Sequence, residues 1–161
     1  MRIVRQSAFA LVIAACALLA GSCARNPVTG KNELSFVSES QEISMGREYA
    51  GQVAQETGVY PDSGIQRYVS TIGKRIAAET ERPALPWTFT VMDDPQVNAF
   101  ALPGGFIFVT RGILTHMNSE AELATVVGHE IGHVTARHSV RQMSRQQLAQ
   151  IGLLAGAVAS D

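Results

Sequence analysis

Five consecutive residues, His129-Glu130-Ile131-Gly132-His133, restrict this chain more than any other feature in it. On an α-helix, two imidazoles four positions apart advance by about 400°, so they stand about 40° and 6 Å apart on one face. Neutral imidazoles at that spacing can share one zinc ion. Glu130, about 100° round the helix from His129, can reach a water beside the ion as a general base without becoming a ligand. The flanking residues support the helix. Ser119 and Glu122 form a capping box, and Leu123, Val126, Val127 and Ile131 recur at helical spacing. Of the four histidines, His129, His133 and His138 fall within ten positions.

The rest of the chain alternates helical and strand patterns. Ser38 with Gln41 is a capping box opening a helix that runs to Gly58. A second helix follows Pro61-Asp62, with Ile65, Tyr68, Val69, Ile72 and Ile76 on its apolar face. The period then changes to two, with Trp87, Phe89 and Val91 set against Thr88, Thr90 and Met92 as in a half-buried strand. Val97 to Leu102 and Phe106 to Thr110 are further strands, joined by a tight turn at Pro103-Gly104-Gly105. These elements imply an α+β fold, with helices packed on a small sheet of three or four strands. A length of 161 residues allows one domain, and 46% hydrophobic against 17% charged residues supplies enough apolar surface for a core. A net charge of -1, with no basic stripe, argues against a nucleic-acid partner.

The N-terminus has a different character. Arg2 and Arg5 precede an apolar run from Ala8 to Ala20, which ends in small residues before Cys23. The run is shorter than the roughly 20 residues of a membrane-spanning helix, so residues 1–22 read as a secretory signal, with a retained anchor as the alternative. Cys16 and Cys23 are the two cysteines, which leaves no pair for a disulfide in the exported part. Leu19-Ala20-Gly21-Ser22-Cys23 resembles a bacterial lipobox, although Ala20 stands where a larger aliphatic residue is preferred. Ile13-Ala14-Ala15-Cys16 fits that pattern better but leaves a signal core of only about eight residues. Cys23 is therefore the expected lipidation site, with acyl chains holding the domain at the membrane surface. No aspartate follows Cys23, which by resemblance to envelope lipoproteins favours the outer membrane. Without Arg2 and Arg5 the exported part carries 11 basic and 14 acidic residues, about -3. Residues 23–33, with turn signals at Asn26-Pro27 and Thr29-Gly30, read as a tether, and Leu34 to Val37 as a short strand.

The run Asn98-Ala99-Phe100-Ala101-Leu102-Pro103-Gly104-Gly105-Phe106-Ile107-Phe108-Val109-Thr110-Arg111-Gly112-Ile113-Leu114, with Glu122-Leu123-Ala124 and His129-Glu130-Ile131-Gly132-His133, resembles the HtpX and BepA type metallopeptidases, metallopeptidase family 48. Asn26-Pro27-Val28-Thr29-Gly30 is similar to the exported bacterial branch of that family. The resemblance implies a gluzincin-type α+β fold, one zinc ion, and endopeptidase activity on misfolded or unassembled envelope proteins. It assigns His129 and His133 to the metal, Glu130 to catalysis, and Gly105, Phe106, Ile107 and Phe108 to a sheet edge where substrate adds as an extra strand. Phe106 and Phe108 read equally well as one face of a core strand.

A catalytic zinc normally has three protein ligands, and the resemblance places the third, a glutamate, beyond Asp161. Residues 34–161 are thus expected to be a partial metallopeptidase domain, cut short after the His129–His133 helix. Glu122, seven residues before His129, lies about 10 Å along the helix axis, too far to share the ion, and Glu120 is farther. If the helix continues, His138 points about 140° away from His133 and serves as a surface or supporting histidine rather than a ligand. His116 reads as a loop residue. The apolar tail from Gln147 to Ser160 is too short to span a bilayer. A non-enzymatic module binding unfolded envelope proteins through the sheet edge is the alternative function.

Overall fold

A computed structural model describes residues 23–159; the expected signal segment and Cys16 lie outside them. Among the described residues ten elements follow one another: β1 (Cys23–Arg25), β2 (Asn32–Leu34), α1 (Glu39–Thr57), α2 (Ser63–Ala78), β3 (Thr88–Met92), β4 (Ala99–Leu102), β5 (Phe106–Thr110), α3 (Arg111–Leu114), α4 (Glu120–Thr135) and α5 (His138–Ala159). This is the mixed α+β architecture expected, with three strands in the main sheet. None of the helices among the described residues is long and apolar enough to cross a membrane.

The helix starts lie where the side chains can satisfy open backbone N–H groups. Ser38 and Gln41 make the reciprocal capping box at the head of α1. The Asp62 carboxylate accepts from Gly64 and Ile65 at the head of α2. At α4 the Ser119 hydroxyl accepts from Glu122 N, but the Glu122 carboxylate reaches back one residue farther, to Asn118 N at 2.8 Å. In α2, Val69 and Ile72 are buried, whereas Tyr68 stands outside the apolar face and donates to Glu120.

The sheet order is β3-β5-β4, with β5 parallel to β3 and antiparallel to β4. One face of the sheet carries Phe89, Val91, Ile107 and Val109 and packs against Val69 and Ile72 of α2 and Leu123, Val127, Ile131 and Val134 of α4. Met92, Phe106 and Phe108 form a second cluster, joined by Ala50 and Val53 of α1. Met92, expected on the solvent side of its strand, is therefore buried. The sheet is covered by helices on both sides, which is why β5 is buried throughout and apolar from Phe106 to Val109.

This order corrects the expectation that Gly105, Phe106, Ile107 and Phe108 form a substrate-binding sheet edge. Phe106, Ile107 and Phe108 pair with β3 on one side and β4 on the other, and all three are buried. Among the described residues, the outer strands are β3 and β4. On β3, Gln66 bonds to both N and O of Val91, and Tyr60 N also donates to Val91 O. On β4, Thr110 N donates to Asn98 O; by antiparallel alternation Ala99 and Ala101 then turn their backbone groups outward.

The segment expected as a tether is instead largely an antiparallel hairpin, with Cys23, Ala24 and Arg25 opposite Leu34, Glu33 and Asn32. The strand lies at Asn32–Leu34, before the expected Leu34 to Val37. The turn signals do act as a turn: Asn26 Oδ1 accepts from Val28 N and Thr29 N, and Gly30 takes a φ of 66°.

Candidate metal centre

Helix α4 divides its circumference between core and site. Leu123, Val127, Ile131 and Val134 point into the core, while His129 is exposed and Glu130 and His133 are half-buried on the other side. The Nε2 atoms of His129 and His133 approach to 3.0 Å. Two nitrogens on one tetrahedral zinc, each about 2.0–2.1 Å from the metal, stand about 3.3 Å apart, so the pair fits that ion after a shift of a few tenths of an ångström. Ligand atoms of His129, Glu130 and His133 all lie within 4.8 Å of one another. Burial pushes the Glu130 carboxyl above its ordinary pKa, and the two imidazoles pull it back. A carboxylate so placed beside the imidazole pair can take a proton from a water between them.

Glu120 and Glu122 take no part in the cluster. Glu120 binds Arg75 and Tyr68, and Glu122 caps α4. His116 follows α3, with its Nδ1 2.8 Å from Gly112 O.

His138 behaves differently from the continuous-helix expectation. Helix α4 ends at Thr135, and Arg137 adopts a left-handed φ of 54°. This corner brings His138, the first residue of α5, back against the site, with Nδ1 2.6 Å from His133 Nδ1. Burial lowers the His138 pKa, His133 and Arg141 lower it further, and Glu33 opposes them.

The corner is held from two directions. From α1, Glu42 is 1% exposed and accepts from Arg82 Nη1 and Nη2 at 2.9 and 3.0 Å and from Arg137 Nε at 3.1 Å. Arg82 also donates to Val134 O, and Arg137 to Val37 O. Burial disfavours the Arg82 charge, but the Glu42 and Glu39 carboxylates outweigh it and raise its pKa. From the hairpin, Asn26 is 3% exposed and its Nδ2 donates to Ala136 O at 3.1 Å. Arg141 Nε lies 2.9 Å from Glu33 Oε2 without aiming its N–H at the carboxylate, so that contact is ionic rather than a hydrogen bond.

Glu42, Arg82 and Arg137 carried no motif in the sequence. Asn26 stands out in the sequence as a turn residue and as part of the Asn26–Gly30 run, but its bond to Ala136 joins positions 110 residues apart and has no local signal.

Residues 64–160 match Peptidase family M48. The β-barrel assembly-enhancing protease of Yersinia pestis is 33% identical over 132 residues, 80% of this chain and 27% of that protein. The protein of the same name in Escherichia coli K12 is 31% identical over 134 residues, covering 83% of this chain and 28% of that protein. The mitochondrial metalloendopeptidase OMA1 of Arabidopsis thaliana is 44% identical over 85 residues, 53% of this chain and 18% of that protein. The chain thus spans about a quarter of the length of the bacterial relatives it matches. The family match covers more than half of the chain, including the helix whose two imidazoles converge, and the chain belongs to Peptidase family M48, the zinc metallopeptidases.

Proposed function

We propose that this chain is part of a zinc-dependent metalloendopeptidase of the bacterial cell envelope, which hydrolyses peptide bonds in misfolded or unassembled envelope proteins. The observation that carries this reading is the convergence of the His129 and His133 Nε2 atoms, 3.0 Å apart, with the Glu130 carboxylate beside them. His129 and His133 hold the metal. A bound zinc ion supplies Lewis acidity and lowers the pKa of a nearby water to about 7. Glu130 takes the proton from that water and returns it to the leaving amine.

Substrate lies along β4. This strand is packed beside α4, and the outward backbone groups of Ala99 and Ala101 can pair with an extended peptide. Such pairing reads backbone rather than side chains, which suits unfolded polypeptides of varied sequence. The names of the bacterial relatives, which associate proteolysis with β-barrel assembly, support the choice of envelope proteins.

The test is metal-dependent proteolysis. The complete enzyme of which this chain is part should contain one zinc per chain and hydrolyse casein; chelation should abolish hydrolysis, and added zinc should restore it. His129→Ala should lose metal and activity together. Hydrolysis that persists in metal-free protein rejects the reading.

Lipid on Cys23 holds the protein at the periplasmic face of the outer membrane; the signal-like residues before it support this placement. Radiolabelled palmitate should be incorporated in cells, and Cys23→Ser should remove the label while Cys16→Ser keeps it. The opposite pattern would move the anchor to Cys16.

A further inference from the structure

The N-terminal hairpin and the metal helix meet at one corner. Asn26 has both functions of its side-chain amide engaged. Its Oδ1 closes the hairpin turn by accepting from Val28 N and Thr29 N. The turn needs nothing more from this residue, yet Nδ2 reaches out of the hairpin to Ala136 O and also donates to Glu33 Oε2. Ala136 O is among the carbonyls that the end of α4 leaves without a helical partner. Arg141 of α5 donates to the same carbonyl at 3.3 Å and pairs with Glu33, which closes a ring of contacts from hairpin to corner to α5 and back. Farther along, Phe36 N donates to the buried Ser144 hydroxyl of α5.

His138 opens the helix that this ring secures. It meets His133 on the nitrogen opposite the one that faces His129. A ligating imidazole needs a partner on its far nitrogen, because that bond fixes both the tautomer and the direction in which the ring presents its lone pair. With the lone pair on Nε2, neutral His133 carries its proton on Nδ1 and donates it to His138 Nδ1.

We propose that His138 and Asn26 are positioning residues of the metal centre: His138 aims His133 at the ion, and Asn26 holds the corner from which His138 does so. The proposal rests on the reading that His129 and His133 bind a metal. It makes the N-terminal hairpin part of the site's support.

The experiment measures zinc affinity by competition with a chromophoric chelator, and the visible spectrum of the cobalt-substituted protein, neither of which needs turnover. His138→Phe keeps a ring without a nitrogen and should weaken zinc binding by about 10- to 100-fold and change the cobalt spectrum. His138→Gln, which restores an acceptor, should recover most of the affinity. Asn26→Asp keeps the turn's acceptor but loses the donor to Ala136, and should weaken zinc binding in the same direction. Added to His138→Phe it should bring little further loss, because both act through one contact. Zinc affinity and cobalt spectrum unchanged in His138→Phe would overturn the proposal and leave the protease reading intact. Full multiplication of the two losses would remove Asn26 from it. Zinc binding that responds as expected in a protein without proteolytic activity would support the proposal and reject the protease reading, while a wild-type protein that binds no zinc would reject both.

Discussion

Glu130→Gln should reduce peptide hydrolysis by about 10²- to 10⁴-fold, the range a positioned general base contributes, and leave the zinc content of the protein unchanged. Glutamine keeps the size and the burial of the side chain but cannot take a proton from water. The metal should remain because Glu130 is not among its ligands in the proposed mechanism. The pair of measurements separates Glu130 from its neighbours, since His129→Ala should lose zinc and activity together. A Gln variant that hydrolyses casein at the wild-type rate would reject the assigned base, and one that loses its zinc would make Glu130 a ligand instead.

The largest loss of stability should come from a residue outside the cluster. Glu42→Ala should lower the unfolding free energy by about 3–5 kcal/mol, the usual result of removing one partner of a buried ion pair. The Glu42 carboxylate is buried between two guanidiniums, of which Arg82 is only 7% exposed. Its removal leaves Arg82 with the more exposed Glu39 as its carboxylate partner and frees the Nε of Arg137 at a left-handed position. Chemical denaturation followed by circular dichroism is the measurement, with an unchanged denaturant slope required for the comparison. A loss under about 1 kcal/mol would place the network among the weak surface pairs. Glu42 also accepts from Gly104 N in the β4–β5 turn. Gly46, one turn along α1, has room for no side chain, because a Cβ there would meet Pro103 O at 1.8 Å. Helix α1 is thus seated directly on the turn that joins the edge strand to the central one.

The local signals in the sequence were those that act over a few residues. Ser38 and Gln41 marked the start of α1, and the spacing of Leu123, Val127 and Ile131 marked the core-facing side of α4. The same spacing placed His129 and His133 together, since a helix brings positions four apart onto one face whatever surrounds it. The alternation of Trp87, Phe89 and Val91 locates β3, but Met92 is buried against that pattern because alternation assumes that one face is wet, and α1 dries the second face. The run Phe106 to Val109 carried the mark of a central strand in having no polar residue to turn outward. Its reading as an edge came from family resemblance, and the pairing of β5 with both β3 and β4 overturned it.

His138 shows where a local rule stops. Extending α4 through Ala136 and Arg137 places His138 on the far side of the helix. The chain instead turns at Arg137, a residue with no intrinsic preference for left-handed backbone. That turn exists because Glu42 and Val37 O hold the guanidinium and Asn26 holds Ala136 O, contacts that span 95, 100 and 110 residues of chain. That His129 and His133 share one face is written in the sequence, because it depends only on helical geometry and on capping side chains next to it. The tertiary structure decided which strand is the edge and which way His138 points. Both depend on partners distant in the chain, whose contact energies outweigh local backbone preference.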